Sequence, residues 1–190
     1  MRKPVESSEP IHPVLSERWS PRSFVPGAEI TDADITALLE AARWAPSANN
    51  LQPWKFLVAR HGDQNFEFIS SILSGFNKEW APKASAFIVA FAETLNDDGT
   101  TRKSALYDVG LAVGFLTLEA HHRGYSVHQM AGFEREALSA HFNIPDSTHP
   151  VVVIAVGKQA VSSELTSDTL REREESPRSR KSLAEITFTR

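Results

Sequence analysis

Three polar residues near the start of the chain are spaced so that they could bind one anion. Arg18, Ser20 and Arg22 alternate in the segment SERWSPRSF, and alternate residues of an extended segment point to the same side. Two guanidinium groups would offer a phosphate bidentate, charge-assisted hydrogen bonds, and the hydroxyl would add a neutral donor. The competing interpretation is a basic edge that is simply exposed to water.

A second basic cluster lies near the other end of the chain. Arg178, Arg180 and Lys181 stand beside serine residues in the segment SPRSRKSL. Because the whole chain is acidic, with a net charge of −4, two basic clusters suggest one shared anion. The alternative is a solvated tail, since spacing along the sequence cannot show that the two clusters meet.

A third group of polar residues lies in the loop APSANNLQPW, at residues 45–54. Pro46 and Pro53 prevent a continued helix. The hydrogen-bonding side chains between them are Ser47, Asn49, Asn50 and Gln52. Side-chain amides can pair with the edge of a heterocycle that carries both donors and acceptors, such as a flavin or a pteridine. A loop of this composition can also simply turn the chain.

The composition limits the chemistry of the chain. Its 190 residues are 41% hydrophobic, which suits one globular domain. We assign residues 14–190 to that domain and residues 1–13, with three prolines, to a flexible N-terminal arm. The absence of cysteine excludes thiolate catalysis and Cys-ligated zinc or iron–sulfur clusters. Because the adjacent His121 and His122 do not share a helix face, we predict no metal site.

Charge and hydropathy indicate where the protein works. The acidic balance gives no electrostatic basis for binding nucleic acid or a membrane surface. The first residues contain no apolar signal core, and no apolar run approaches the roughly 20 residues needed to span a bilayer. We therefore expect a cytoplasmic protein.

Apolar patterning predicts an α+β fold in which helices alternate with a few strands. The clearest helix lies in TDADITALLEAARW, where Thr31 can cap the first turn. Other helices are predicted in VLSERWSP, ending near Pro21, in FEFISSILSGF and in FEREALSAHFNIP. Strands are predicted in WKFLVAR, ASAFIVAFAE and HPVVVIAVGK, and a short strand or loop in SVHQMAGFE. We expect residues 159–176 to be a solvated excursion, and the tail around Ile186 and Phe188 to be an edge strand.

One segment, SALYDVGLAVGFLTLEAHHRGY, is apolar on nearly every side of a helix. A helix without a polar face must be buried, which indicates a subunit contact. Gly110 and Gly114 lie four residues apart within it, and Gly124 is expected to end it.

Six segments, taken in order, resemble the nitroreductase family of FMN-dependent NAD(P)H oxidoreductases. The resemblance covers about residues 14–190 and is strongest where PSxxNxQPW follows a helix and precedes a strand. The segments are RWSPRSF, APSANNLQPWKF, NKEWAPKASAFIVA, YDVGLAVGFLTLEAHHRGY, QMAGFE and RSRKSLAEI.

The resemblance implies a nitroreductase-like fold with a mixed central sheet flanked by helices, built as an intertwined homodimer. FMN would lie at the dimer interface and contact both chains. Residues 105–124 would form the dimer helix. The residues expected to hold the phosphate are Arg18, Ser20, Arg22 and Arg180, with Arg178 or Lys181 as a further ligand.

The same resemblance assigns residues to the flavin ring. Asn77 would meet its pyrimidine side, and Gly132 would let the backbone approach the ring. The residues expected to reach the flavin from the second subunit are Pro46, Ser47, Ala48 and Asn50. The segment expected to run along the isoalloxazine near its N5 atom consists of Gln129, Met130, Ala131 and Gly132.

Three departures from the family pattern fall within this predicted site. Ala48 stands where relatives often have serine, and Trp80 stands where some have a lysine that could stabilise reduced flavin. The segment QMAGFE lacks the proline and acidic residue of some relatives.

The resemblance implies an FMN oxidoreductase that works by a ping-pong cycle. Hydride would pass from NAD(P)H through flavin N5 to a nitroaromatic, a quinone or a related acceptor, so the cofactor rather than a catalytic side chain would carry the chemistry. The alternatives are a specialised flavin reaction, namely dehalogenation, enoate reduction or flavin destruction, and a flavin-binding module without turnover.

Overall fold

The computed structural model describes residues 3, 5 and 7–188, which form eight helices and four strands. The helices are α1 (Pro13–Glu17), α2 (Asp32–Arg43), α3 (Gln64–Ile72), α4 (Asn77–Trp80), α5 (Ala105–His122), α6 (Arg135–His141), α7 (Asp168–Glu175) and α8 (Leu183–Ile186). The strands are β1 (Trp54–Arg60), β2 (Ala86–Glu93), β3 (Ser126–Met130) and β4 (Thr148–Gly157). The predicted α+β class is thus confirmed. None of the described helices is long and apolar enough to cross a membrane.

The four strands form one sheet in the order β1-β2-β4-β3, and every neighbouring pair is antiparallel. Apart from Glu93, every residue of the central strand β2 is buried, because helices cover both faces of the sheet. β3 pairs only with β4 and therefore forms an edge of the described sheet, with Gln129 opposite Ile154. The predicted site segment, residues 129–132, begins within this edge strand and ends two residues beyond it.

The longest predicted helices form for the reasons read in the sequence. Thr31 caps α2, and its Oγ1 accepts a hydrogen bond of 3.1 Å from the N–H of Asp34. As expected, Gly124 stops α5, whose last residue is His122; the φ of 74° at Gly124 is a left-handed conformation that suits glycine. The N–H of Gly124 donates to the carbonyl of His121 at 2.9 Å and continues the chain towards β3.

Alternate residues of the sheet face two separate apolar cores. On one face, Ile88 and Ile154 pack with α2 and α5. On the other face, Phe87 stacks on Phe66 of α3 at a centroid distance of 4.3 Å, and fully buried Trp80 lies in the same core. The two cores hold β3 and the helix ends in fixed positions around the predicted site.

Two expectations for the C-terminal part are wrong. Residues 159–176 are not a solvated excursion, because they contain α7, which buries Leu170 and Glu174. The tail forms a short helix, α8, instead of an edge strand, since Ser182 and Glu185 form a capping box at its start. Leu183 and Ile186 of this helix remain 62% exposed.

The helix predicted before Pro21 forms, but it is shorter than expected. α1 begins at Pro13, but it ends at Glu17 and not near Pro21, because Arg18 adopts an extended conformation with ψ of 143°. The flexible arm predicted for residues 1–13 includes residues 1, 2, 4 and 6, which lie outside the described part of the chain. Its flexibility stays a prediction.

Candidate functional site

The N-terminal basic cluster lies in an extended segment directly after α1. Arg18 and Arg22 are half-buried, while Ser20 is exposed. The Nε atom of Arg18 is buried without a hydrogen-bond partner among the described residues. A buried donor of this kind is costly unless a bound group accepts its hydrogen bond.

The structure brings the two basic clusters together. Burial lowers the pKa of Arg18, and the positive charges of Arg178 and Arg180 lower it further. Burial and then the charge of Arg180 likewise lower the pKa of Arg178. In the part of the chain that the structure describes, the ion pairs involve other arginines and none of Arg18, Arg22, Arg178 or Arg180.

The two C-terminal arginines differ in what they contact. Nη1 of Arg178 donates to the carbonyls of Ser16 at 2.8 Å and Lys3 at 3.1 Å. Arg180 is exposed, and its Nη1 donates to the carbonyl of the neighbouring Ser179 at 2.6 Å. Arg178 therefore holds the end of α1 in place, whereas the side chain of Arg180 is accessible to a ligand.

A buried carboxylate that the sequence analysis did not single out supports this cluster. Glu174 of α7 is 1% exposed. Its oxygens accept hydrogen bonds from the backbone N–H groups of Arg22 at 2.8 Å and Ser23 at 3.2 Å. It thus fixes the backbone that carries the Arg22 side chain. The segment DTLREREE gives no sign that this glutamate, among its neighbours, points inward.

The loop at residues 46–53 has an unusual backbone. Asn49, Asn50 and Gln52 have φ angles of 51°, 56° and 48°, a left-handed region that asparagine tolerates better than most residues. Ser47 Oγ accepts a hydrogen bond from the N–H of Gln52 at 3.0 Å, and Gln52 Nε2 donates to the carbonyl of Asn50 at 3.0 Å. Gln52 therefore locks the loop through both its backbone and its side chain.

The loop is anchored to α5 by Asp108, a second residue that the sequence analysis missed. Asp108 is 2% exposed and accepts hydrogen bonds from Ser104 Oγ at 2.9 Å and from the N–H of Ala48 at 3.3 Å. The signal that could have identified it is its position as an acidic residue in the first turn of an apolar helix. The predicted ring contacts Pro46, Ala48 and Asn50 are exposed, and Ser47 is half-buried.

Asn77 and Gly132 lie next to each other. A Cβ atom added to Gly132 would lie 3.4 Å from Nδ2 of Asn77, so a side chain there would crowd the amide. The carbonyl of Gly132 accepts a hydrogen bond of 2.9 Å from the N–H of Ser74, which fixes the loop after β3. These two predicted ring contacts are therefore neighbours in the structure.

The other residues of the β3 segment point in different directions. The Gln129 side chain donates to Thr117 Oγ1 of α5 at 3.0 Å, and the Met130 side chain is 2% exposed in a core. Ala131 is exposed, and its carbonyl accepts from Arg135 at 3.2 Å. Met130 could therefore meet a ligand only through its backbone.

Trp80 occupies the core and not the surface of the site. Its ring lies 4.5 Å from that of His128 and 6.0 Å from that of Phe24, and its Nε1 is buried without a partner among the described residues. It supplies no positive charge. A separate cavity of about 650 Å³ is lined by Trp19, His121 and residues of the N-terminal arm and includes none of the predicted ring contacts.

Comparison with known proteins agrees with this architecture. A family model described as the nitroreductase family matches residues 15–102 and 76–158. The 15.4 kDa protein of the ask 5′ region of Mycolicibacterium smegmatis is 35% identical over 144 residues, which are 71% of this chain and 95% of that protein. A Bacillus subtilis (strain 168) protein, provisionally named NAD(P)H nitroreductase YdgI, is 26% identical over 200 residues, covering 84% of this chain and 95% of its own.

A solved structure extends the agreement to the whole fold. The crystal structure of an oxidoreductase containing FMN matches with a TM-score of 0.90 at 32% sequence identity, covering 96% of this chain and 93% of that chain. Since the family model spans most of the chain and the fold matches nearly throughout, the resemblance seen in the sequence is confirmed. The chain belongs to the nitroreductase family.

Proposed function

We propose that this protein is an FMN-dependent NAD(P)H oxidoreductase whose FMN phosphate is bound by Arg18, Ser20, Arg22 and Arg180. The observation that carries the proposal is the buried Arg18 Nε without a partner, within a group of guanidinium groups that form no ion pair with a carboxylate in the described residues. A phosphate accepts several charge-assisted hydrogen bonds and would offset the mutual repulsion of these charges.

The names of relatives support the cofactor and the electron donor. The solved structure with the TM-score of 0.90 is described as containing FMN, and the Bacillus subtilis relative bears the name of an NAD(P)H enzyme. When bound, FMN would supply the hydride-transfer chemistry between the nicotinamide and an electron acceptor. A nitroaromatic or a quinone is the proposed acceptor.

The chain's own residues would bind and orient the cofactor. The phosphate residues would fix one end of the FMN, while Asn77 and the backbone near Gly132 would fix the position of the ring. The close approach of backbone at Gly132 depends on the absence of a side chain there. Donor and acceptor would use the same face of the ring in turn, which gives ping-pong kinetics.

A homodimer is part of the proposal, because the ring-facing loop is exposed in the single chain. Leu106, Tyr107 and Phe115 of α5 are 61%, 71% and 42% exposed, and α8 adds two exposed apolar side chains. Large exposed apolar surfaces mark interaction sites. A second copy covering α5 would bring its Pro46–Asn50 loop to the ring, and a permanent interface of this kind exceeds about 2,000 Å².

Purification followed by an absorption spectrum and an NAD(P)H titration tests the function. We expect a yellow protein that releases FMN and not FAD on denaturation, that is bleached by NADH or NADPH without oxygen, and that is reoxidised by a quinone. Ping-pong kinetics would appear as parallel lines in double-reciprocal plots. Stoichiometric FAD, or a colourless protein that does not bind added FMN, would contradict the proposal, and bound FMN without turnover would indicate a flavin-binding module.

A further inference from the structure

His128 of β3 contacts the segment that carries the proposed phosphate ligands. Its Nδ1 lies 3.0 Å from the carbonyl oxygen of Pro21, the residue directly before Arg22. The carbonyl of Ser20 also contributes to the environment of the ring. The imidazole therefore contacts the backbone between the two half-buried arginines, Arg18 and Arg22.

The contact defines the protonation state of the ring. Burial lowers the pKa of His128 to about 4, and the nearby charge of Arg22 lowers it further, while the carbonyls of Pro21 and Ser20 act in the opposite direction. The ring is therefore neutral near pH 7. A neutral imidazole has one N–H and one acceptor nitrogen, and only an N–H can bond to a carbonyl oxygen. The proton must lie on Nδ1.

An aromatic side chain packs against the imidazole of His128 and fixes its position. The indole of Trp80 lies 4.5 Å from it, and Phe24 in turn lies against Trp80. The backbone of Phe24 pairs with Gln159, and the N–H of Val25 donates to Lys158 at 2.9 Å, just beyond β4. Two sets of contacts thus join the segment that carries the arginines to the sheet. The backbone contacts of Phe24 and Val25 hold the end of this segment near β4, whereas the imidazole of His128 holds its middle, at Pro21.

We propose that His128 is a positioning residue, which uses its Nδ1–H to hold Pro21 and thereby sets the separation of Arg18 and Arg22 for the phosphate. This inference rests on the proposed function. The same role would link the phosphate ligands to the ring contacts, because β3 carries His128 and leads directly into the segment that ends at Gly132. One edge strand then sets the distance between the phosphate ligands and the ring contacts.

The test compares the affinities of FMN and riboflavin, which differ only by the phosphate. Flavin-depleted wild-type protein and variants are titrated with each flavin, and quenching of flavin fluorescence gives the ratio of the two dissociation constants. His128→Phe keeps a ring but removes the donor. His128→Asn places an amide N–H close to the position of Nδ1. Tyr125→Phe is the control, since it removes another half-buried hydrogen bond, 2.8 Å from Tyr125 Oη to Asp34, away from the proposed site.

We expect His128→Phe to reduce the preference for FMN over riboflavin by about tenfold or more. His128→Asn should stay within about threefold of wild type, and Tyr125→Phe should leave the preference unchanged. A purely structural role would weaken both flavins alike and leave the ratio intact. An unchanged ratio in His128→Phe would overturn the positioning role. So would a loss of FMN preference in His128→Asn as large as that in His128→Phe. In both cases the proposed function stands.

Two further results separate this inference from the function on which it rests. A wild-type protein that binds FMN and riboflavin equally would overturn the phosphate assignment, and the role of His128 with it. A measurement without any variant is nitrogen-15 NMR of the wild-type imidazole at pH 7. We expect Nδ1 to be protonated and Nε2 not, and the opposite tautomer would overturn the inference even if both variants fail to fold.

Discussion

The phosphate half and the ring half of the proposed site are built in opposite ways. The phosphate half is held from several sides within one chain: Glu174 fixes the backbone of Arg22, and Arg178 fixes the end of α1. The ring half is a strained, exposed loop next to the exposed apolar face of α5, held by Asp108 and, at its end, by a hydrogen bond from the N–H of Glu93 to the carbonyl of Pro53. The supporting groups of the phosphate half are buried within the chain. The loop of the ring half remains exposed in the single chain, so another molecule would have to cover it.

This difference shows how one chain can specify a site that it does not complete. The backbone around Arg22 has its polar groups paired inside the monomer, so its geometry should not depend on association. The loop at Asn50 presents polar side chains outward at positive φ, a conformation that costs about 1–3 kcal/mol unless the surroundings stabilise it. The proposed partner subunit would supply those surroundings.

The largest effect is expected from the carboxylate that supports the phosphate half. Glu174→Ala would leave two backbone N–H groups without partners in the protein interior, and each such group costs about 1–3 kcal/mol. We expect the free energy of unfolding to fall by about 4 kcal/mol, with loss of FMN binding. Urea unfolding measures it, and a loss below about 1 kcal/mol would show that this half is not fixed from within.

The phosphate half should also make stability depend on pH. The pKa of His128 is about 4 in the folded protein, compared with about 6.5 when unfolded. Between these values the unfolded chain binds more protons, so the free energy of unfolding falls as the pH falls from 6.5 to 4. The contribution of His128 is at most about 3.5 kcal/mol, at about 1.4 kcal/mol per unit of pKa.

Urea titrations at pH 7 and pH 4.5 check this dependence. His128→Phe lacks the titrating group and should lose less stability between the two pH values than wild type does. His121, whose pKa burial also lowers, remains in both proteins and cancels in the difference. An identical loss in wild type and variant would contradict the assignment.

Next in size are the phosphate arginines. Arg22→Ala and Arg180→Ala should each weaken FMN binding by about 1.5–3 kcal/mol, the range for hydrogen bonds to charged groups. Arg43→Ala, which removes an exposed arginine paired with Glu40, is the charge-matched control and should have no effect. Fluorescence titration of flavin-depleted protein measures all three, and equal small effects would refute the phosphate assignment.

The smallest expected loss of flavin affinity comes from a substitution in the ring half, and it should not distinguish FMN from riboflavin. Asp108→Asn keeps a similar shape but replaces the carboxylate that accepts from Ala48 and Ser104. We expect it to weaken FMN and riboflavin equally, by about 1 kcal/mol, because in the proposed site the loop would contact the ring and not the phosphate. A selective loss of FMN would show that the two halves are not independent.

The sequence predicted the regular parts of the fold well, because their signals are local. The Thr31 cap and the apolar spacing of α2, the continuous apolar run of β2 and the stop at Gly124 each act within a few residues. α7 was missed because DTLREREE reads as polar throughout, although Leu170 and Glu174 face inward. α8 was missed because the apolar alternation at Ile186 fits a strand as well as a short capped helix.

The site was predictable in its residue types but not in its supports. Arg18, Ser20 and Arg22 stood out by spacing alone, whereas the proximity of Arg18 to Arg178 and Arg180 follows only from the fold. Asp108, His128 and Glu174 act through contacts with residues between 60 and 152 positions away in the sequence. No local sequence pattern predicts contacts between residues so far apart in the chain.

The central claim, a site shared between two chains, is tested most directly by complementation. One variant carries Arg18→Glu and Arg22→Glu, the other Ser47→Glu and Asn50→Asp, and the two are unfolded and refolded together. In a mixed dimer both defects fall on one site and leave the other site wild type.

Random pairing makes about half of the dimers mixed, so about a quarter of all sites should regain FMN binding and NAD(P)H oxidation. Circular dichroism of each variant and mass spectrometry of the mixture establish that both fold and exchange subunits. The account predicts that quarter. Complete absence of FMN binding in a mixture that has formed mixed dimers would contradict it, because every site would then lie within a single chain.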